Sequence, residues 1–119
     1  MEHIAQIIFY INLACIMTHE LDAIHHHEWR ILPLTSWMNE VWGYRVFVMA
    51  HIPLFATLMA TSHVRGMQIA VDVFLLIHVG LHWLFRNDPE NTFNNRLSNL
   101  LIIGVIPFAS GHLVLISMI

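Results

Sequence analysis

Residues 67–85 read MQIAVDVFLLIHVGLHWLF. A helix needs about 20 predominantly apolar residues to cross a hydrocarbon core, and this stretch meets that length with one carboxylate, Asp72. The run therefore predicts a membrane-spanning helix. Its polar residues then become informative. Ionisable groups at membrane depth are expensive, so they mark function by default. His78 and His82 stand four residues apart and share a helix face, so both imidazoles can reach one ion.

Three more segments of spanning length flank this one: Ile4 to Ile24, Tyr44 to Ser62 and Leu97 to Ile119. The short link His63 to Gly66 forces helices two and three into an antiparallel hairpin. The Asn87-to-Asn95 link contains Asp88-Pro89 and several asparagines, a turn signature. The link Glu28 to Gly43 carries Trp29, Trp37 and Trp42 and reads as interfacial. The predicted fold is all-α: an integral membrane four-helix bundle, up-down-up-down, with an interfacial segment between helices one and two, formed by a single domain over 1–119. Pro53 and Pro107 fall inside helices two and four, where membrane helices tolerate them as kinks.

Composition agrees. Apolar residues make up 57% of the 119 and charged residues 11%, against roughly 25% charged in soluble domains. There is no lysine, and the net charge of −3 is small and scattered, which excludes a nucleic-acid partner. A lone Cys15 excludes an internal disulfide framework. Glu2 and His3 stand where a cleavable signal peptide would be cationic, so the first segment is expected to be a retained helix. Arg30, Arg45, Arg86 and Arg96 gather at the first and third links, with only Arg65 at the opposite side. The positive-inside rule then predicts those links in the cytoplasm and both termini outside. Trp29, Trp37, Trp42 and Trp83 fall on the same side, as an interfacial belt would.

Ten histidines are present, and four converge in depth. At about 1.5 Å of rise per residue, His82 is roughly 6 Å and His78 roughly 12 Å inside Arg86, with His51 roughly 10 Å inside Tyr44. His19 reaches a similar level on helix one. His19, Asp22 and His26 follow i, i+3, i+7 on one face, while Glu20 points about 100° away. His19, Asp22, His51, His78 and His82 are the expected metal ligands, with zinc or iron as the ion. Glu20 or Glu28 is the expected general base for a metal-bound water. Arg86, one turn beyond His82, is expected to bind an anionic head group or a developing oxyanion. A hydrogen-bonded packing network is the structural alternative for the same histidines, and His25 and His27 read as solvated interfacial residues. Deeper, at roughly 21 Å from the same end, Asp72 and His112 are expected to pair near Asn12, as a relay or as a packing device.

The run His19-Glu20-Leu21-Asp22-Ala23, followed by Glu28-Trp29-Arg30 and by His51-Ile52-Pro53-Leu54 within Phe47 to Phe55, resembles a family of small uncharacterised bacterial membrane proteins. It is similar in style to membrane families named for a His-x-x-Glu-Glu motif, with a departure in its His-Glu-Leu-Asp order. The resemblance spans about the first half of the chain. It implies a bacterial inner-membrane location and importance for His19, Glu20, Asp22, Glu28, Arg30 and His51, and it implies no substrate. Position 23 is alanine where a zincin helix needs its second histidine. The repeated His-x-x-His-His boxes of membrane di-iron hydroxylases are absent. The His-x-x-x-His spacing with Asp is similar to that of membrane zinc hydrolases of the ceramidase type, which have more helices.

Three functions are compatible with these residues. The first is a metal-dependent hydrolase or oxidoreductase acting on a membrane lipid or amphiphile near the cytoplasmic interface. The second is a b-type haem protein with His51 and His78 or His82 as axial ligands, which the nearby Glu20 and Asp22 disfavour. The third is a non-catalytic subunit or assembly factor of a larger membrane complex. Met17 and Met49 lie near the histidine depth and fit gap-filling as well as copper binding. A homodimer is the expected assembly for so small a bundle.

Overall fold

The computed structural model describes residues 1–119. Helix α1 runs Glu2–His25, α2 Glu40–Thr61, α3 Arg65–Leu84, α4 Arg96–Ile103 and α5 Val105–Ser117, with a 3-10 turn at Glu28–Arg30. There are four spans long and apolar enough to cross a membrane, the fourth being α4 and α5 together. The chain is therefore an all-helical integral membrane protein. Asparagine caps begin two of the helices. The Asn39 side chain accepts from the Trp42 amide at 2.9 Å, and that of Asn95 from the Ser98 amide at 2.8 Å, satisfying donors that a helix start leaves unpaired. The Asn39 cap starts α2 four residues ahead of the apolar run at Tyr44.

The fourth span breaks at Gly104, between α4 and α5. Pro107 explains the position: it lacks an N–H, and its ring crowds the carbonyl four residues back, at Ile103. Pro53 causes no such break, and α2 is continuous across it.

The bundle is not evenly packed. α1 lies along α5 and α4, and α3 lies along α5. Phe9, Leu13, Ile16, Val71, Leu75 and Val105 form one apolar core between α1, α3 and α5. A second core at the other end joins Ala23, Trp29, Ile31, Phe47, Phe93 and Ile102. Helix α2 stands at the edge and buries only Gly43 and Phe47. Gly43 is required there, because a Cβ would come 2.8 Å from Cδ1 of Trp29. At the far end Arg65 Nη2 donates to the Ile116 carbonyl, joining the start of α3 to the end of α5.

The tryptophans divide differently from a simple belt. Trp37, Trp42 and Trp83 are exposed, but Trp29 is 3% exposed. Its Nε1 donates to Glu40 at 3.2 Å, and its ring fills the space that Gly43 leaves. The residue expected as an interfacial anchor is a core residue that seats α2.

Candidate metal centre

Three imidazoles and one carboxylate meet where α1 and α3 come together beneath the 3-10 turn. His78 Nε2 is 3.0 Å from His19 Nε2 and 3.1 Å from His82 Nε2. The Glu28 carboxylate closes the group, with Oε1 2.9 Å from His82 Nε2 and 3.5 Å from His78 Nε2, and Oε2 3.7 Å from His19 Nε2. One ligand atom from each of the four residues lies within 4.8 Å of all the others, and all four residues are buried. This group can hold a metal ion. A tetrahedral ion with bonds of about 2.0–2.1 Å sets its ligand atoms about 3.3–3.4 Å apart, and the two Nε2–Nε2 contacts lie slightly inside that spacing.

The local chain explains how Glu28 reaches the site. On a continuous helix His19 and Glu28 would be separated by about 13 Å along the axis. Instead α1 ends at His25, and His27 adopts φ 53 and ψ 48, the left-handed region. Such a backbone is uncommon for a residue with a side chain, although histidine takes it more readily than most. The turn reverses the chain and carries Glu28 back against His19.

Burial opposes ionisation of Glu28. The three imidazoles set against its oxygens outweigh it, holding its carboxyl below the usual carboxylate range. A buried carboxylate without such partners would cost several kcal/mol. The outer nitrogens, Nδ1 of His19 and of His82, have no hydrogen-bond partner. Metal-bound histidines usually donate that N–H to a neighbour. Here the rings are oriented by packing, with His19 edge-on to His82 at 83° and the Phe93 ring 5.8 Å from His19 and 4.8 Å from His82.

The other residues expected at the site are engaged elsewhere. His51 is not in the cluster: its Nδ1 donates to the Phe47 carbonyl at 2.6 Å, and its Nε2 shares a proton with Glu20 Oε2 at 2.6 Å. Both ring nitrogens are committed, and so is the Glu20 carboxylate. Asp22 turns to the fourth span. It accepts from Ser98 Oγ at 2.6 Å and lies 3.3 Å from His26 Nε2. His26 Nδ1 in turn meets Thr92 Oγ1 at 2.7 Å. Glu28, expected as a base, faces the three imidazoles directly. Arg86 Nη1 donates to the Trp83 carbonyl at 2.7 Å, and its guanidinium lies 4.1 Å from the centroid of the Trp83 ring.

Phe93 and Ser98 were not singled out by their sequence positions, yet they divide and border these groups. The signal for Ser98 was its place three residues after the capping Asn95. The deeper layer is joined as well: Asn12 Nδ2 donates to Asp72 Oδ1 at 2.8 Å, and His112 Nδ1 bonds Asp72 Oδ2, all fully buried. His27 binds Glu40, which also takes both ends of the Arg30 guanidinium.

Comparison with curated proteins and with solved structures returns no match. A protein-family model covers the chain almost from end to end: residues 5–119 match, and the chain belongs to the Family of unknown function (DUF6713).

Proposed function

We propose that this protein is a membrane metalloprotein that binds a divalent transition-metal ion, zinc before iron, through His19, His78, His82 and Glu28. The observation that carries the reading is the convergence of three Nε2 atoms and a carboxylate inside the bundle. Three imidazoles and a carboxylate turned towards one point offer their lone pairs to a single cation. Imidazole suits zinc and iron alike, and a set of three imidazoles and one carboxylate is one that four-coordinate zinc accepts. Haem fits less well. It takes its two axial ligands on opposite faces of a flat macrocycle, and these donors meet at a point, with Glu28 among them.

The chemistry that suits such a centre is hydrolysis at the membrane interface. An ion held by His19, His78 and His82 would supply Lewis-acid activation of water, and Glu28 would be the nearby carboxylate able to act as a base. Support for an enzyme comes from a cleft with His82 in its wall. The arginine distribution supports placing this end at the cytoplasmic face of a bacterial inner membrane, with both termini outside.

Elemental analysis of detergent-purified protein, prepared without chelator, tests the reading. The expected result is near-stoichiometric zinc or iron that is lost in His78→Ala. Absence of metal, with no gain on incubation with zinc, overturns it and leaves a packing network in a partner subunit.

A further inference from the structure

We infer that the cleft beside His82 binds a single-chain amphiphile with an anionic head, its head–tail junction level with the metal centre. The inference rests on the metal reading for its chemistry but not for its binding. The cleft encloses about 480 Å³ between α3 and the fourth span, within the range of about 300–1,000 Å³ usual for small-ligand sites. Its walls are sorted by depth. Val79, Ile102 and Ile106 line the membrane-ward part, while Arg86, Asn94 and Asn99 line the part nearest the links. From Val79 to Arg86 on α3, and from Ile106 to Asn99 on the fourth span, the rise is about 10 Å. Both walls thus change from apolar to polar over the same height and in the same direction. A lipid-derived molecule in this leaflet has that polarity. A purely apolar tail would leave the asparagines and Arg86 unused, and a small polar solute would leave the isoleucines unused.

Arg86 decides the sign of the head. Its guanidinium rests on Trp83 and pairs with no carboxylate, since the nearby Glu90 binds Arg30 and Asp88 accepts the Glu90 amide. A planar guanidinium so presented matches a carboxylate or phosphate. His82 stands between the two regions, one turn from each, with its Nε2 in the metal group. An ester or amide at the junction of head and tail would therefore lie beside the His82 ring. A second cavity, of about 220 Å³ between α1, α2 and α3, makes the contrast. Nine of its ten lining residues are apolar, and the tenth, Glu20, is held by His51. It offers no cation.

The test uses the full-length protein in detergent and a long-chain fatty acid carrying a diazirine at mid-chain, with crosslinks mapped by peptide mass spectrometry. Crosslinks are expected on cleft residues between Val79 and Ile106, competed by oleate and not by an alkyltrimethylammonium of equal length. Arg86→Gln should lower labelling at least tenfold. A Cβ on Gly80 meets nothing within 4 Å, so Gly80→Phe should fill the cleft without disturbing the fold and abolish labelling. His78→Ala should lose the metal yet label like the parent protein, which separates failure of this site from failure of the metal reading. Labelling spread evenly over all lipid-facing helices, equal competition by the cationic amphiphile, or full labelling of a folded Gly80→Phe protein would each overturn the inference.

Discussion

The Nε2 atoms of His19 and His78 face each other 3.0 Å apart across the meeting of α1 and α3. Only one proton fits between two such nitrogens, and His78 must also face His82 at 3.1 Å. A bound ion would resolve that crowding. If four ligands share the roughly 10–16 kcal/mol of a structural zinc site, each supplies about 3 kcal/mol, or about a hundredfold in affinity. His78→Ala should therefore weaken zinc binding by at least that factor in a chelator-competition titration. His51→Ala should leave it unchanged, because His51 is bonded to Glu20 and Phe47.

Metal loading should depend on pH through the imidazoles and not through Glu28. The Glu28 carboxyl is held below the usual carboxylate range, so it remains ionised through neutral pH. Its contribution to stability is present above the unfolded carboxylate value of about 4.3 and is lost only as pH falls through its lowered folded value. The histidines must be neutral to bind, so acidification should lower zinc affinity, with protons taken up as the ion is released. A flat profile between pH 7 and 5 in a zinc titration would contradict the ligand set.

Gly43 and Gly80 give a paired comparison. A Cβ at Gly43 would press on Trp29, the residue after Glu28, whereas one at Gly80 meets nothing. Gly43→Ala should destabilise the protein by about 1–3 kcal/mol, the usual effect of overpacking, and weaken metal binding by moving Glu28. Gly80→Ala should do neither. Thermal unfolding in detergent and zinc titration of both variants would show it.

The spans were legible because apolar length is a strong signal, and the common depth of His19, His78 and His82 followed from helix rise alone. The division of the polar residues into separate groups was not legible. Whether His51 meets Glu20 or the cluster depends on helix rotation, and α2 at the bundle edge carries no amphipathic stripe to set it. Glu28 becomes part of the cluster only through the left-handed backbone at His27, which, like His25, reads as solvated. The Ser98–Asp22 bond joins residues 76 positions apart, and only tertiary packing creates it.

Asp72 is the hinge of the deeper layer, bonded to both Asn12 and His112. Asp72→Leu would leave two buried polar side chains without a partner, and removal of one member of a buried pair costs about 3–5 kcal/mol. Asp72→Asn, which keeps two polar atoms in place, should cost less. Neither should change zinc content, since His78 and His82 lie about 9 and 15 Å further along α3. Thermal unfolding with parallel elemental analysis distinguishes the layers.

Ser98→Ala removes the bond between the fourth span and Asp22. Hydrogen bonds to charged groups contribute about 1.5–3 kcal/mol, and a loss of that order should appear in the unfolding midpoint, with metal retained.

Four carboxylates inside the bundle, two buried and two half-buried, are each met by imidazole: Glu20 by His51, Asp22 by His26, Glu28 by the three-histidine group, Asp72 by His112. Such a pair becomes two neutral groups by the shift of one proton, at a cost in water of about 3 kcal/mol from the ordinary values. An arginine–carboxylate pair would need about 11 kcal/mol or more for the same step. During biogenesis, a fixed charge at a helix centre adds roughly 2.5–3.5 kcal/mol to insertion. Histidine pairing lets partnered helices settle into the lipid without separated charge. The interior of this protein therefore acquires its charge through folding and does not have to carry it into the bilayer.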